Sequence, residues 1–384
     1  MDFELPLDIL ELKTTLRRFI EREVEPRANE IEETDAIPAC IVQQSRELGL
    51  FGLSIPEEYG GLGLGMVGRA GALEELGRTH NGFTTFIGGH VGIGTYGIVQ
   101  FGSLEQKRRY LPKMASGEWI GAFALTEPDA GSDPASLRTK AIKRGNAYVL
   151  NGTKRFITNG DVAHVFTVMA RTNPDAPSKY KGISAFLVER GTPGFKVGAI
   201  EKKMGLRGSH TVELLFEDCE VPRDNLLGNE GEGFINSLKV LTNGRAALAA
   251  RNLGSCEKLL EISLEYAKER IQFSAPILKQ QAIRHYLAEM AMEVELLRSM
   301  VYRVAWMVDT NQKVIKEAAM VKLFASEAYN RVADRALQIF GGSGYIKGSP
   351  TERFYRDARI TKVYEGTSEI QKNIIASELE KGLG

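Results

Sequence analysis

Near the C-terminal end, the run RFYRDARITKVYEGTSEIQ (Arg353 to Gln371) gathers three arginines, an aspartate and a Tyr-Glu-Gly-Thr corner. Glu365 stands just before the signals of a helix start. Ser368 followed by Gln371 fits a capping box, with Thr367 as the competing N-cap. A carboxylate at such a corner either satisfies the positive end of a helix dipole or acts as a catalytic base. Taken alone, these local features favour the structural use, because most acidic residues near helix starts are structural. Arg353, Arg356 and Arg359 read as partners for Asp357 and neighbouring acids.

Three further segments carry chemically useful side chains. In ALTEPDAGSDPAS (Ala124 to Ser136), Thr126, Ser132 and turn amides offer donors to a polar ring or a phosphate, and Asp129 and Asp133 punctuate the loop. KRFITNG (Lys154 to Gly160) ends another β-run, and AKERIQFSAPILKQQAI spans Ala267 to Ile283. The glycines of IPEEYGGLGLG (Ile55 to Gly65) have no strand, helix and ribose-binding acid after them in Rossmann order, so they read as a turn-rich connection.

These segments need a scaffold, and periodicity supplies one. Leu7, Leu10, Leu12, Leu16, Phe19, Ile20 and Val24 lie largely on one helical face, with Pro26 following. A second helix spans Ala39 to Leu48 and stops at Gly49, and helical spacing resumes from Val67 to Arg78. The apolar stretch Phe86 to Gly102 is loaded with glycine, each costing up to ~1 kcal/mol in a helix against alanine. Close helix packing is one account of it; an elongated cavity left by the missing side chains of Gly94 and Gly97 is the other.

From Ile120 to about Glu220 the period changes. Six short β-branched or aromatic-rich runs alternate with turn clusters such as Asn151-Gly152 and Thr192-Pro193-Gly194, which predicts a compact antiparallel barrel or sandwich. Beyond about Gly233, the stretches Phe234 to Arg270, Leu287 to Val308, Ile315 to Phe340 and Ser368 to Glu380 predict a four-helix bundle. The expected organisation is mainly α with a β middle: a helical domain over 1–120, a β domain over 121–230 and a helical bundle over 231–384.

Lysine plus arginine equals aspartate plus glutamate at 49 each, so no basic excess marks a nucleic-acid binder. Cys40, Cys219 and Cys256 are odd in number and far apart, giving neither a disulfide framework nor metal-ligand spacing. The five histidines are scattered, and no metal site is expected. No apolar run is long enough to span a membrane. The start MDFELPLDILELK resembles neither a signal nor a transit peptide. The expected location is cytoplasmic, with the mature matrix form of an organellar enzyme as the other possibility.

Together, in this order on an α-β-α chain, the four chemical segments resemble the acyl-CoA dehydrogenase family over essentially the whole length. The resemblance implies FAD bound without a Rossmann fold, between the β domain and the C-terminal bundle. By matching motif positions, it implies that Leu125, Thr126 and Ser132 contact the flavin or its phosphates, Ser132 also lying near the CoA part. Phe156, Ile157 and Thr158 are placed along the isoalloxazine, with Phe156 where most members carry tryptophan. Arg270, Phe273, Gln281, Gln338, Gly341 and Gly342 are implied to hold the FAD of a neighbouring subunit. A homo-oligomer follows, tetramer before dimer. Thr367 and Glu369 are implied to present a helix N-terminus to FAD. Ser274, Gln280 and Gly348 depart from the family's usual glycine, phenylalanine and acidic or amide residue.

The implied reaction is oxidation of an acyl-CoA to its trans-2-enoyl-CoA, with electrons passed to an electron-transferring flavoprotein. Glu365 matches the base of many members. Others place it where this chain has Gly244, which leaves Glu365 as the family-consistent base. Asn243, Arg245 and Gly366 are expected at the substrate, and small Gly94 and Gly97 are expected to keep the acyl pocket deep. Three segments, GGHVGIGTYGIVQFG, EKKMGLRGSHT and LTNGRAA, look most like the very-long-chain branch, whose extra C-terminal domain this sequence lacks. A medium- to long-chain acyl-CoA is the expected substrate. The alternatives are a branched, aromatic or dicarboxylic acyl-CoA, an acyl-CoA oxidase, or a non-catalytic assembly protein retaining the fold.

Overall fold

The computed structural model describes residues 4–382, so the first three residues of the acidic start and the last two of the chain lie outside it. Helix α1 (Leu7–Phe19) passes through a π-turn at Ile20–Val24 and a 3-10 turn at Glu25–Arg27 into α2 (Ala28–Thr34). Pro26 sits in that 3-10 turn. The buried face is Ile9, Leu16, Phe19, Ile20 and Val24, whereas Leu7 and Leu10 point outward. At about 100° per residue neither leucine can share the direction that Ile9 takes.

Helices α3 (Ala39–Glu47), α4 (Met66–Gly77) and α5 (Asn81–Gly88) follow, then a π-turn over Gly89–Gly94, α6 (Tyr96–Phe101) and α7 (Leu104–Ala115). The glycine-rich stretch is thus a helix broken by a π-turn, a distortion that often marks a functional site.

The middle of the chain forms one eight-stranded sheet: β1 (Gly121–Ala124), β2 (Lys140–Arg144), β3 (Ala147–Thr158), β4 (Val165–Arg171), β5 (Ile183–Glu189), β6 (Phe195–Ile200), β7 (Thr211–Pro222) and β8 (Leu226–Leu227). The order is β6-β7-β3-β2-β4-β5-β8, with β1 beside β4. The expected antiparallel pattern has one correction: β1 runs parallel to β4, and β2 meets β4 in parallel at Lys140 and Arg171. Alternate residues of β4 enter two cores, Phe166, Val168 and Ala170 on one face and Val165 and Met169 on the other. Burial of both faces explains why this strand reads as continuously apolar.

The remainder is α8 (Gly233–Glu269), a hairpin of β9 (Ile271–Gln272) and β10 (Ala275–Pro276), α9 (Gln281–Asp309), α10 (Ile315–Phe340), the single turn α11 (Gly342–Tyr345), α12 (Pro350–Ile360) and α13 (Ser368–Gly382). Helix α10 packs on α8, α9, α12 and α13. No helix among the described residues is long and apolar enough to cross a membrane.

The arginines of α12 find partners other than Asp357. Arg356 pairs with Glu352 at 2.5 Å and with Glu32 at 2.6 Å, and Arg353 faces Glu25 at 3.7 Å. Arg359 is exposed. The buried Asp357 carboxylate instead accepts the Leu206 N–H at 2.6 Å. These arginines therefore tie α12 to the N-terminal helices.

Helices α4 and α8 cross at glycines. A Cβ on Gly77 would lie 2.0 Å from the Arg251 carbonyl oxygen, and one on Gly254 would lie 1.8 Å from that of Glu74. Backbone cannot retreat from such an overlap without separating the helices. Gly254→Ala should therefore destabilise the protein by about 3 kcal/mol or more, at the upper end of overpacking costs. Thermal unfolding of the two proteins side by side checks this; an unchanged midpoint would refute the close crossing.

Candidate active site

The Tyr-Glu-Gly-Thr corner links α12 to α13 through left-handed backbone. Glu365 has φ +54° and Gly366 φ +92°. A left-handed glutamate costs of order 1 kcal/mol or more and persists only where its surroundings fix it. Here side-chain donors grip both carbonyls. The Glu365 oxygen accepts from Arg245 Nε at 3.4 Å and Gln371 Nε2 at 3.2 Å. The Gly366 oxygen accepts from Lys322 Nζ at 2.7 Å and Gln371 Nε2 at 2.9 Å.

Gln371 is therefore no partner in a capping box. Thr367 is the N-cap, its hydroxyl accepting the Ile370 N–H at 3.3 Å, while the Ser368 hydroxyl donates to Glu327 at 2.8 Å. The amide that would have closed the box instead holds the corner.

The Glu365 side chain enters a space left by a neighbouring glycine. Its Oε2 is buried without a hydrogen-bond partner. A Cβ on Gly244 would lie 2.8 Å from that oxygen and 3.0 Å from Ile93 Cγ2. The missing side chain of Gly244 is what admits the carboxylate, so the two base positions known from the family resemblance share one space. Burial raises the Glu365 carboxyl above its ordinary range, opposed by the charges of Arg251, Lys322 and Arg245. Burial in turn pushes Lys322 down to about 8 and lowers Arg245.

Other expected substrate residues behave differently. The Asn243 Oδ1 accepts from the buried Arg69 Nη1 at 2.9 Å, so its side chain is held from behind. Gly94 makes room for a strand: its Cβ would fall 2.5 Å from the Gly121 carbonyl oxygen. Gly97 has ordinary neighbours, Leu227 at 3.6 Å and Val240 at 3.8 Å. Open space lies elsewhere in the same segment. Gly92 is buried, yet a Cβ there would meet nothing within 4 Å, and one on Gly88 would face only Arg251 Nη1, at 3.6 Å. Space is therefore open beside both glycines.

A second group of expected residues surrounds the end of β1 and β3. The Leu125 carbonyl accepts from Lys154 Nζ at 3.1 Å, and the Thr126 carbonyl accepts the Arg155 N–H at 2.9 Å. Lys154 also pairs with Glu127 at 2.7 Å, and Glu127 takes the Arg138 and Thr139 N–H groups at 2.5 and 3.0 Å. Burial pushes Lys154 down to about 8. This buried pair, absent from the expected site list, pins the loop that carries Thr126 and Ser132 to β3. Ser132 itself is exposed.

Beyond the pair, β3 breaks register between Lys154 and Ile157. Phe156 there adopts φ +59° and is 57% exposed, with the Arg155 guanidinium 4.9 Å from its ring centre. Ile157 is buried, and Thr158 Cγ2 would be 3.3 Å from a Cβ on Gly89 in the π-turn. His90 in that turn was also unforeseen. Its Nδ1 accepts the Gly121 N–H at 2.9 Å, so Nε2 carries the proton towards the Met114 carbonyl at 3.1 Å. Burial depresses His90 to about 4, keeping it neutral.

The residues expected to serve a neighbouring subunit are on the surface. Arg270, Gln281 and Gln338 are exposed, and Phe273 at the tip of the β9–β10 hairpin is 89% exposed. Ser274 has φ +63°, a conformation in which the family's usual glycine is unstrained. A Cβ on Gly341 or Gly342 would meet nothing within 4 Å. The bare ring of Phe273, the open backbone at Gly341 and Gly342 and the exposed ring of Phe156 are thus all left uncovered by the chain itself.

Models of the N-terminal, middle and C-terminal domains of acyl-CoA dehydrogenase match residues 8–118, 122–219 and 231–380. An acyl-CoA dehydrogenase of Bacillus subtilis (strain 168) is 45% identical over 371 residues, 97% of each chain. The human mitochondrial short-chain specific acyl-CoA dehydrogenase is 43% identical over 378 residues, 98% of this chain and 91% of that one. The structure of butyryl-CoA dehydrogenase from Megasphaera elsdenii matches with TM-score 0.95 and 38% identity, covering 99% of this chain and 100% of that one. The chain belongs to the acyl-CoA dehydrogenase family, FAD-binding oxidoreductases that act on acyl-CoA.

Proposed function

We propose that the protein removes the α- and β-hydrogens of a short-chain acyl-CoA, giving the trans-2-enoyl-CoA, with Glu365 as the base. The observation that carries this reading is the Glu365 carboxylate: buried and unpartnered at Oε2, and facing a space opened by a glycine. Desolvation raises its basicity towards a weakly acidic α-proton. The Glu365 N–H donates to no described group, which leaves it free to steady the thioester oxygen as negative charge develops. Bound FAD supplies the acceptor for the hydride.

Leu125, Thr126, Ser132, Phe156, Ile157 and Thr158 form the near wall of the cofactor site in this reading, with Thr367 and Glu369 at the start of α13. The exposed set of Arg270, Phe273, Gln281, Gln338, Gly341 and Gly342 serves the cofactor of a second copy, within a homotetramer. An electron-transferring flavoprotein takes the electrons, as the family resemblance implies.

Short chains replace the medium to long ones that sequence segments favour. Both the human relative and the Megasphaera structure are named for short acyl groups. Gly94 is spent against β1, and the open space beside Gly88 ends at a buried arginine, Arg251. An apolar tail laid against a buried charge would be poorly accommodated.

Three outcomes test this reading. Glu365→Gln should retain FAD but slow anaerobic bleaching of the flavin by acyl-CoA on the order of 10³-fold; unchanged bleaching would refute the assigned base. The base must be ionised to work, so the rate should rise with pH through the raised Glu365 value. The acid limb of the pH profile is therefore expected above the ordinary carboxylate range, and a limb at or below that range would contradict burial of the group. Across unbranched acyl-CoAs with four to eighteen carbons, turnover should peak at the short end; a peak at twelve or longer would exclude the proposed class.

A further inference from the structure

Three buried cations approach Glu365, and two have evident work: Arg245 and Lys322 hold the carbonyls of the corner. Arg251 is different. It is 7% exposed, contributed by α8, and the foremost of the three in its electrostatic effect on Glu365. Its Nη1 donates to Thr85 Oγ1 at 2.9 Å and its Nη2 to the Tyr364 hydroxyl. Among the described residues no carboxylate lies within ion-pair distance of it. A buried guanidinium held only by neutral hydroxyls is costly, and such a site gains most from a negative partner.

Hydrogen-bond directions point the same way. A guanidinium only donates, so Thr85 and Tyr364 accept from Arg251 and keep their own protons to give. Burial holds the Tyr364 phenol protonated, raised to about 12. Three groups that can all donate thus converge, with no acceptor supplied to satisfy them. Beside them is room: Gly88 has no side chain between its backbone and Arg251 Nη1, and Gly92 borders open space. With Glu365 ionised, the cluster of Arg245, Arg251, Lys322 and Glu365 still carries two positive charges in excess.

We infer that Arg251, with Thr85 and Tyr364, binds a carboxylate at the far end of the acyl group, so that the preferred substrate is a short dicarboxylic monothioester of CoA. This rests on the reading of the site given above and narrows its substrate class. Glu365 then works at the α-carbon, while Arg251 anchors the other end of the chain. A charge-assisted bidentate contact of this kind fixes both length and orientation, because the planar fork of arginine matches the carboxylate.

The test uses the purified FAD-loaded protein and matched pairs of CoA esters: succinyl with butyryl, glutaryl with pentanoyl, adipoyl with hexanoyl. In at least one pair, kcat/KM for the diacid should exceed that of its partner tenfold or more. Arg251→Gln should lower that ratio on the order of 100-fold, as expected for truncating one side of a buried charge pair, and Arg251→Lys should recover part of it. Capping the free carboxylate of the best diacid as its methyl ester should abolish the preference. Monoacids equal to or better than diacids in every pair would overturn the assignment while leaving the acyl-CoA dehydrogenase reading intact, as would a methyl ester that performs as well as the diacid. Failure of all six esters to bleach the flavin would overturn both. If the Arg251→Gln protein does not fold, the wild-type ratios and the methyl ester decide.

Discussion

With Glu365 as the proposed base, one requirement organises the site: a buried carboxylate oxygen has to remain ionisable. Desolvation alone raises the carboxyl of Glu365, the proposed base, and favours its protonated form. Cations alone, close and hydrated, would make it too weak a base. The structure balances the two by placing Arg245, Arg251 and Lys322 around the corner but bonding them elsewhere, to the corner carbonyls and to Thr85 and Tyr364. None donates a hydrogen bond to Oε2. The carboxylate feels their field and keeps its lone pairs for a proton.

That balance requires four elements to meet within a small volume. Glu365 comes from the α12–α13 corner, Gly244, Arg245 and Arg251 from α8, Lys322 from α10, and Thr85 from α5. The glycine crossing of α4 with α8 sets the position of Arg251, since the Arg251 carbonyl is the atom that a Cβ on Gly77 would strike. A change of a single methyl group at that crossing is transmitted to the site because packed backbones have nowhere to yield. On the far side, the Glu127–Lys154 pair does for the loop that carries Thr126 and Ser132 what Lys322 does for the corner. In both places a buried lysine is spent on a main-chain carbonyl as well as on a charge.

The candidate site residues Glu365, Thr126, Phe156 and the glycines of Gln338 to Gly342 were named through the family resemblance of short segments, since taken alone the local pattern at Glu365 favours a structural use. The helix periodicities were plain where one face is buried, as in Leu287, Met290, Val294 and Leu297. What residue order could not convey was partnership across the fold. Ser368 and Gln371 have the spacing of a capping box, but Gln371 is recruited by carbonyls of the corner itself, and local pattern gives way to tertiary contact. Gly94 and Gly92 look alike in sequence; one faces a strand and the other a void. Arg251 lies in an alanine-rich helix, 166 residues from Thr85 and 113 from Tyr364. Its only signal was an arginine on a face that should be apolar.

Backbone strain marks the same places that side-chain chemistry does. Among the described residues, nine non-glycine positions have positive φ, and five of them fall in segments assigned to the site: Phe156, Asn159, Phe273, Ser274 and Glu365. Each of order 1 kcal/mol or more, these conformations persist only where neighbours over-determine them. At Asn159 the neighbour is the Phe86 carbonyl, which accepts from the side-chain amide at 2.8 Å; at Glu365 it is the ring of donors. Phe273 and Ser274 are the two loop residues of the β9–β10 hairpin, where positive φ at both positions is the type I′ turn that such a loop favours, closed by the Gln272–Ala275 pair. Positive φ at Glu365 therefore reports a tertiary clamp, whereas at the hairpin tip it reports the turn that joins two paired strands.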